Sequence, residues 1–224
     1  MDASLKDVLE ITPFPCVSKD PSKSQGGSGS IIPLKGEYPR DKKGRLMVFL
    51  AQINKEEFPL PWKSQGILQF YVSQDNLKDP SLEEDFKIVA INQSDPITYH
   101  QIANFSTHGF VFLETPYNLH FSKKRTPFPS CDHGFKDIYD EILKTTYELD
   151  GLDNFFKEYG KRTDHRIGGY PSFRKKTSRG HLLLHLALGH DLYHGGDIWI
   201  SFFSQELDAI HDVDCHIFGH SFKR

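Results

Sequence analysis

Histidine is the residue type in this sequence with the widest choice of chemistry, because an imidazole can bind a metal ion or exchange a proton near neutral pH. The 224 residues include 12 histidines. In the second half His181 and His185 stand four apart, as do His190 and His194. Residues four apart on a strand share a face, so each pair could converge on a metal ion.

The residues around these histidines favour a different interpretation. The sequence has no H-E-x-x-H pattern, and neither pair holds a carboxylate at helical spacing. His185 lies in the apolar run Leu182–Leu188, where a similar run in the first half has Phe49. That match indicates a packed, aromatic-like residue. We therefore predict no metal and no cofactor, with the four histidines as weak metal candidates only.

A second candidate site is the segment from His165 to Pro171, with the sequence HRIGGYP. Paired glycines allow positive φ and let backbone amides approach an anion. His165 and Arg166 could then bind a carboxylate or a phosphate. The predicted ligand-binding residues are His165, Arg166, Gly168, Gly169 and Tyr170. The alternative, which we favour, is structural, because Gly-Gly before Tyr-Pro is typical of a tight turn at the start of a strand.

Several function classes receive no support. There is no G-x-S-x-G elbow and no glycine-rich phosphate loop. Basic runs occur at 123–125 and 174–176, but the formal net charge is −3, so no nucleic acid is expected as a partner. No apolar run approaches the roughly 20 residues of a membrane span, so no membrane is expected either.

The cysteines and the first residues indicate the compartment. Cys16, Cys131 and Cys215 are far apart and odd in number, which fits a reducing environment. The chain begins without the basic and apolar regions of a signal peptide. We expect a cytoplasmic protein.

Hydrophobic patterning predicts mostly strands. Residues 3–10 are predicted as a short helix capped by Ser4, and residues 18–30 as a mobile loop or linker. The spacing of Ile138, Ile142, Leu149, Leu152 and Phe156 predicts a helical segment at about 135–160. Apolar or alternating runs predict strands at 46–53, 67–72, 86–91, 110–113, 182–188, 198–203 and 215–218.

The two strand-rich parts of the sequence resemble each other. Tyr-Pro, an L-x-x-x-L-A run, a glycine, an aromatic pair and Ser-Gln before an acidic segment follow in the same order in each part. The spacings between these blocks differ. We favour an old internal duplication, while chance recurrence of short apolar runs stays the alternative.

These same residues resemble the YwqG-like family, a bacterial domain of unknown function. Residues 164–173 are similar to its His-x-Ile-Gly-Gly-Tyr-Pro-x-Phe signature. Residues 50–54, 60–61 and 66–71 resemble its leucine-rich strand, Leu-Pro turn and Gly-x-Leu-Gln-Phe-Phe strand, and residues 195–203 its last core strand. After the signature this chain has Phe173-Arg174-Lys175-Lys176-Thr177, where the family usually continues Phe-Thr-Gln-x-Asp. The departure implies an altered or lost polar site.

The residues and the resemblance together predict an α+β fold made of two related, mainly antiparallel β units with a helical segment between them. The expected organisation is an N-terminal helix and flexible loop at 1–30, then a single domain at 31–224. Its β halves lie at about 31–115 and 165–220, and its helical insert at about 135–160.

The predicted function is a non-enzymatic binding or protein-interaction module of unknown protein or small-molecule partner. Relatives thought to lie beside bacterial toxin genes imply toxin neutralisation by analogy. The alternative is a small-molecule or metal-dependent enzyme with its site in the second β half.

Overall fold

The strands of this chain can be followed in a computed structural model that describes residues 5–15, 20–57, 66–79, 82–83, 85–103, 114–127, 165–168, 181–188, 198–204 and 213–219. The elements in chain order are β1 Leu5–Pro15, β2 Gln25–Gly26, β3 Ile31–Leu34, β4 Val48–Asn54, β5 Ile67–Val72, α1 Gln74–Lys78, β6 Phe86–Ile91, β7 Thr98–Gln101, β8 Tyr117–Pro127, β9 Arg166–Ile167, β10 His181–Leu188, β11 Ile198–Ser204 and β12 Val213–Gly219. A 3-10 turn, Lys55–Glu57, follows β4 directly.

Ten of these strands form one sheet in the order β12-β11-β10-β9-β1-β8-β2-β4-β5-β6, and β3 pairs with β7 in a separate ribbon. Every pairing is antiparallel. The prediction of a mainly antiparallel β protein is confirmed. The described helix content is small, so the α+β prediction is matched only loosely.

The long β1–β8 pair lies at the middle of the sheet. It runs in register from Leu5 opposite Pro127 to Pro15 opposite Tyr117, with Glu10 opposite Ser122 at its centre. On one side β1 pairs with β9, and on the other side β8 pairs with β2. Each central strand is therefore flanked by strands that come from distant parts of the chain.

The six strands predicted by apolar runs at β4, β5, β6, β10, β11 and β12 are confirmed. Their apolar residues form one core, because the sheet folds back so that its two ends face each other. Phe70 of β5 and Phe202 of β11 have ring centroids 4.9 Å apart, although many strands separate them in the sheet. Phe86 of β6 lies edge-on to the same Phe202 at 5.9 Å. Fully burying a side chain of this size stabilises the fold by about 2–3 kcal/mol.

A smaller core fills the space between the β3–β7 ribbon and the outer face of the first half. Ile32, Phe49, Tyr71 and Ile102 are buried there. β4 contributes side chains to both cores because it has a bulge at Leu50. At this bulge the pairing with β5 shifts between Phe49 and Ala51. The bulge inserts an extra residue and so reverses the alternation of faces on either side of it.

The helix predicted at residues 3–10 is wrong, because Leu5–Pro15 is the strand β1. The apolar spacing of Leu5, Val8 and Leu9 fits a helix turn as well as a strand. Local propensity is a weak preference, and 11 residue pairs with β8 outweigh it.

The mobile loop predicted at residues 18–30 is also wrong for the described part. Residues 24–28 and Ser30 are buried, and Gln25–Gly26 is a strand inside the main sheet. The small residues permit close packing rather than mobility. A Cβ at Gly27, whose φ is +80°, would collide with the backbone oxygen of Thr115. A Cβ at Gly26 would lie 2.7 Å from the Leu50 oxygen.

The predicted strand at 110–113 and the predicted helical segment at about 135–160 lie outside the described residues, so both stay predictions. Among the described residues no helix is long and apolar enough to cross a membrane.

Candidate functional site

Three buried glutamines cross the outer face of the first half in one row. Gln25, Gln52 and Gln69 are direct neighbours on β2, β4 and β5. Gln69 Nε2 donates to Gln52 Oε1 at 2.9 Å, and the Tyr71 hydroxyl donates to Gln69 Oε1 at 2.9 Å. An amide can donate and accept at once, so such a row forms without any charge, although Gln25 Oε1 has no partner among the described residues.

The same glutamines bond to the chain on either side of β2, residues 20–24 and 27–34, which we call the covering segment. Gln52 Nε2 donates to the carbonyl oxygens of Pro21 and Lys23 at 2.7 and 2.8 Å. Gln69 Nε2 donates to the oxygen of Pro33 at 2.7 Å, and Gln25 Nε2 to that of Ile31 at 2.9 Å. The glutamine row therefore has a structural task, which is to fix this segment against the sheet.

A second polar row occupies the corresponding pairing positions in the second half. His185 of β10 lies opposite Ser201 of β11 on one side and Arg166 of β9 on the other. His185 and Ser201 are 0% exposed and Arg166 is 2% exposed. Nδ1 of His185 and Oγ of Ser201 share a hydrogen bond of 2.6 Å, whose direction depends on the histidine tautomer. Nε2 of His185 is buried and has no hydrogen-bond partner among the described residues.

The register corrects one sequence-based assignment. A bulge at Leu183, like that at Leu50 in β4, shifts the pairing of β10. Counted from the two bulges, His185 matches Gln52 and not Phe49. His185 is thus a hydrogen-bonded polar residue of the outer face, rather than an aromatic-like residue of the core.

Burial and a neighbouring positive charge keep His185, and burial keeps the adjacent His165, in the neutral form. Burial lowers the pKa of His185 well below its ordinary value, and the positive charge of Arg166, with that of His165 when it is protonated, lowers it further. Burial also lowers the pKa of His165, to about 4. Both histidines are therefore uncharged at neutral pH, which leaves Arg166 as the positive charge of the cluster.

The predicted ligand-binding residues are brought together with His185 in part. Arg166 is its cross-strand neighbour, and His165 is close enough to influence its pKa. The His165 backbone oxygen accepts from the Ile11 N–H at 2.9 Å, so the segment is an integral part of the sheet. Gly168 follows β9 with a φ of 72°, the turn conformation expected of it. Gly169 and Tyr170 lie outside the described residues.

The structure describes two of the four predicted metal candidates, His181 and His185, on β10. The pairing of β10 with β11 shifts between Leu182 and Leu184, that is, between these two histidines. Their partners on β11, Ser204 and Ser201, are three residues apart. His190 and His194 lie outside the described residues. Within the described ranges no group of three His, Cys, Asp or Glu residues could hold a metal ion.

The chemistry open to the second row is limited by its burial. A serine hydroxyl bonded to an imidazole is the pair that activates a nucleophile in hydrolases. In such a triad a carboxylate orients the imidazole through its other nitrogen. Here that nitrogen, Nε2 of His185, lacks a partner among the described residues, and neither side chain reaches solvent.

Sequence reasoning missed the glutamine row and Ser201. The available signal was a single polar residue inside an apolar strand, as in Leu-Ala-Gln-Ile, Leu-Gln-Phe and Ile-Ser-Phe. Buried polar groups need partners, so such a residue predicts a hydrogen-bonded row once strand neighbours are known.

These features define a class: an antiparallel β protein whose sheet has a central strand pair and two outer polar rows. The chain belongs to the DUF1963 family, a domain of unknown function whose model matches residues 24–212. Comparison with curated proteins gives no match.

Proposed function

We propose that the chain is a non-enzymatic binding or protein-interaction protein. The observation that carries this proposal is the burial of the second polar row, the part of the described structure that combines a hydroxyl, an imidazole and a guanidinium. Arg166, His185 and Ser201 have almost no solvent contact, so none of them reaches a substrate without an opening of the fold. A residue that never contacts its substrate supplies no catalysis.

The first half supports a structural role for these residues. At the matching pairing positions Gln25, Gln52 and Gln69 fix the covering segment by ordinary hydrogen bonds. The bond between His185 and Ser201 matches the bond between Gln52 and Gln69 in its place in the sheet. A polar row at these pairing positions can therefore be structural, as it is in the first half, without a catalytic explanation.

A hydrolytic enzyme is the second candidate, because one observation favours it. Ser201 and His185 lie at hydrogen-bond distance, as a nucleophile and its base do, and His185 Nε2 is left for another group. This candidate requires that the second half open to admit a substrate.

Labelling with a serine-directed fluorophosphonate probe separates the two candidates. For the binding protein we expect no more labelling of the wild type than of Ser201→Ala. Labelling of Ser201 that is lost in both Ser201→Ala and His185→Gln would replace the proposal with an acyl-transfer enzyme. A metal-dependent enzyme is tested separately: we expect purified, tag-free protein to contain no stoichiometric metal and to keep its Tm in chelator.

The resemblance to the YwqG-like family extends the proposal to a bacterial, cytoplasmic protein that neutralises a toxin by binding it. Capture of partners from the source cytoplasm tests this extension. A toxin retained at a 1:1 ratio supports it. Absence of any stoichiometric protein would shift the proposal to a small ligand.

A small anionic ligand would be held by His165, Arg166 and Gly168 together with Gly169 and Tyr170, and because Arg166 is 2% exposed its entry requires the same opening of the fold that a substrate would need. Heat-shift measurements with carboxylates and phosphates test this version. We expect a binding anion to raise the Tm of the wild type, and to raise that of Arg166→Lys less, because lysine keeps the charge but loses the two-pronged geometry. No shift with any anion would refute it.

We also infer that the two halves arose by internal duplication. The sheet order supports this, since two-residue strands follow the central pair on either side and lead to three longer strands. Both β4 and β10 carry one bulge, and the glycines after β2 and β9, Gly27 and Gly168, both have positive φ. Superposing the halves of an experimental structure tests the inference. If the bulges of β4 and β10 fell at different positions in the superposed halves, the inference would be contradicted.

A further inference from the structure

The strand β7 has one edge without a strand partner among the described residues. It pairs with β3, placing Tyr99 opposite Pro33 and His100 opposite Ile32. In antiparallel pairs, residues alternate between those that bond to the partner strand and those whose N–H and C=O point away. Ile102 bonds toward the β3 side, because its N–H donates to Ser30 at 2.8 Å and its oxygen accepts from Gly29 at 2.9 Å.

The alternation fixes which groups point outward. Counting back from Ile102, His100 and Thr98 also bond toward β3, whereas Gln101, Tyr99 and Ile97 point their N–H and C=O away. The pairing of Tyr99 with Pro33 supports this assignment. A proline has no N–H, so it suits a residue pair that exchanges no hydrogen bonds. Among the described residues nothing hydrogen-bonds to these outward groups.

The side chains of this edge are unusually apolar for an open strand. Tyr99 is 64% exposed and Ile97 is 41% exposed, two of the three large exposed hydrophobic side chains of the described residues. From Pro96 to Ala103 there is no Asp, Glu, Lys or Arg. Proteins protect open edges with charges, prolines, bulges or a short strand length, and of these the stretch 97–101 has only the short length. An open edge of this kind is suited to pairing with another strand.

We propose that β7 pairs antiparallel with β7 of a second copy of this chain, centred on Tyr99. In that register Ile97 faces the partner's Gln101 and each outward N–H meets an outward C=O, with two main-chain bonds at each of three residue pairs. The two Tyr99 rings become cross-strand neighbours, an arrangement that stabilises sheets.

Charge favours a second copy as the occupant. Two-fold pairing sets a segment against itself, so a charged residue near the centre would face a like charge across a short distance. The nearest charged residue, Asp95, would face Ala103 of the partner, and its carboxylate is already 3.0 Å from Lys35 Nζ. An uncharged segment is the composition that self-pairing requires. The two β3–β7 ribbons, one from each copy, bury less surface against each other than the roughly 1,200 Å² of standard interfaces. We therefore expect a weak dimer.

Sedimentation velocity of the full chain, from about 1 to 300 µM, tests the proposal. We expect the wild type to change from monomer to dimer with a Kd on the order of 10–100 µM. Tyr99→Lys sets like charges against each other, and Gln101→Pro removes an outward N–H that the monomer does not use. Both variants should stay monomeric with a Tm within about 3 °C of the wild type.

Leu82→Lys is the matched control, because Leu82 is also apolar and 45% exposed but lies away from β7. It should dimerise as the wild type does. A wild type that stays monomeric throughout would overturn the proposal and leave the edge for the strand of a different protein. Dimerisation that persists in both edge variants would overturn it equally.

Discussion

Replacing His185 with glutamine should make the protein less sensitive to acid. The folded-state pKa of His185 is lower than its ordinary value of 6.5, so the unfolded chain binds a proton that the folded chain excludes. Stability is then full above pH 6.5 and falls as the pH drops below it. His165 acts in the same direction until about pH 4, where its folded form also takes up a proton.

The size of the effect follows from the unfolded state alone. At pH 5.5 an unfolded histidine is about nine-tenths protonated, which costs the fold about 1.4 kcal/mol relative to pH 8 for a group that stays neutral when folded. His185 and His165 together should cost roughly 2–3 kcal/mol. Glutamine at position 185 removes about half of this loss. Gln52, at the matching position, shows that an amide there can bond to its neighbour on the next strand.

Urea unfolding at pH 8, 6.5 and 5.5 measures these differences for the wild type and His185→Gln. His120→Gln, a change at an exposed position, is the control for the loss of a histidine. Carboxylates contribute alike to all three proteins, so the difference in pH dependence isolates residue 185. An equal loss of stability in the wild type and His185→Gln between pH 8 and 5.5 would refute the reasoning.

Three further experiments test the packing. Gly27→Ala should cost more than about 2 kcal/mol by urea unfolding, while Gly36→Ala, with a similar φ but open space around it, should cost only about 1 kcal/mol; equal costs would contradict the close approach at Gly27. Gln52→Leu should cost about 2–4 kcal/mol, because it removes two hydrogen bonds to part-buried carbonyls, those of Pro21 and Lys23, and one from Gln69; a neutral result would show that these bonds do not hold the covering segment. Phe70→Ala and Phe202→Ala should each cost about 3–5 kcal/mol, with a double-mutant coupling of about 0.5–1.5 kcal/mol; additive costs would deny the ring contact.

Strands with a continuous apolar run could be predicted from sequence alone. β5 spans residues 67–72 as its pattern predicts, because Leu68, Phe70 and Val72 face one core while Tyr71 faces the other. Burial on both faces produces such a run wherever the strand is paired. No knowledge of the partner strand is needed to recognise it.

β1 and the polar rows depend on partners that sequence does not reveal. Leu5–Pro15 becomes a strand through pairing with residues more than a hundred positions away. His185 was matched to Phe49 because the repeat was counted along the chain, whereas a bulge in each strand sets the true correspondence to Gln52. Bulges leave no mark in an apolar run, so the burial of His185 could be predicted but its polar neighbours in the row could not.

The order β9-β1-β8-β2 at the centre of the sheet has a consequence for how the protein can be divided. If the chain is cut between residues 103 and 114, β1 stays with the first fragment but has both its neighbours in the second. β8 stays with the second fragment and has both its neighbours in the first. Each fragment therefore contains one long strand that can pair only with strands of the other fragment. The fragments should be unstable when made singly and should recover the fold when made together, which makes the protein a natural pair for split-reporter complementation.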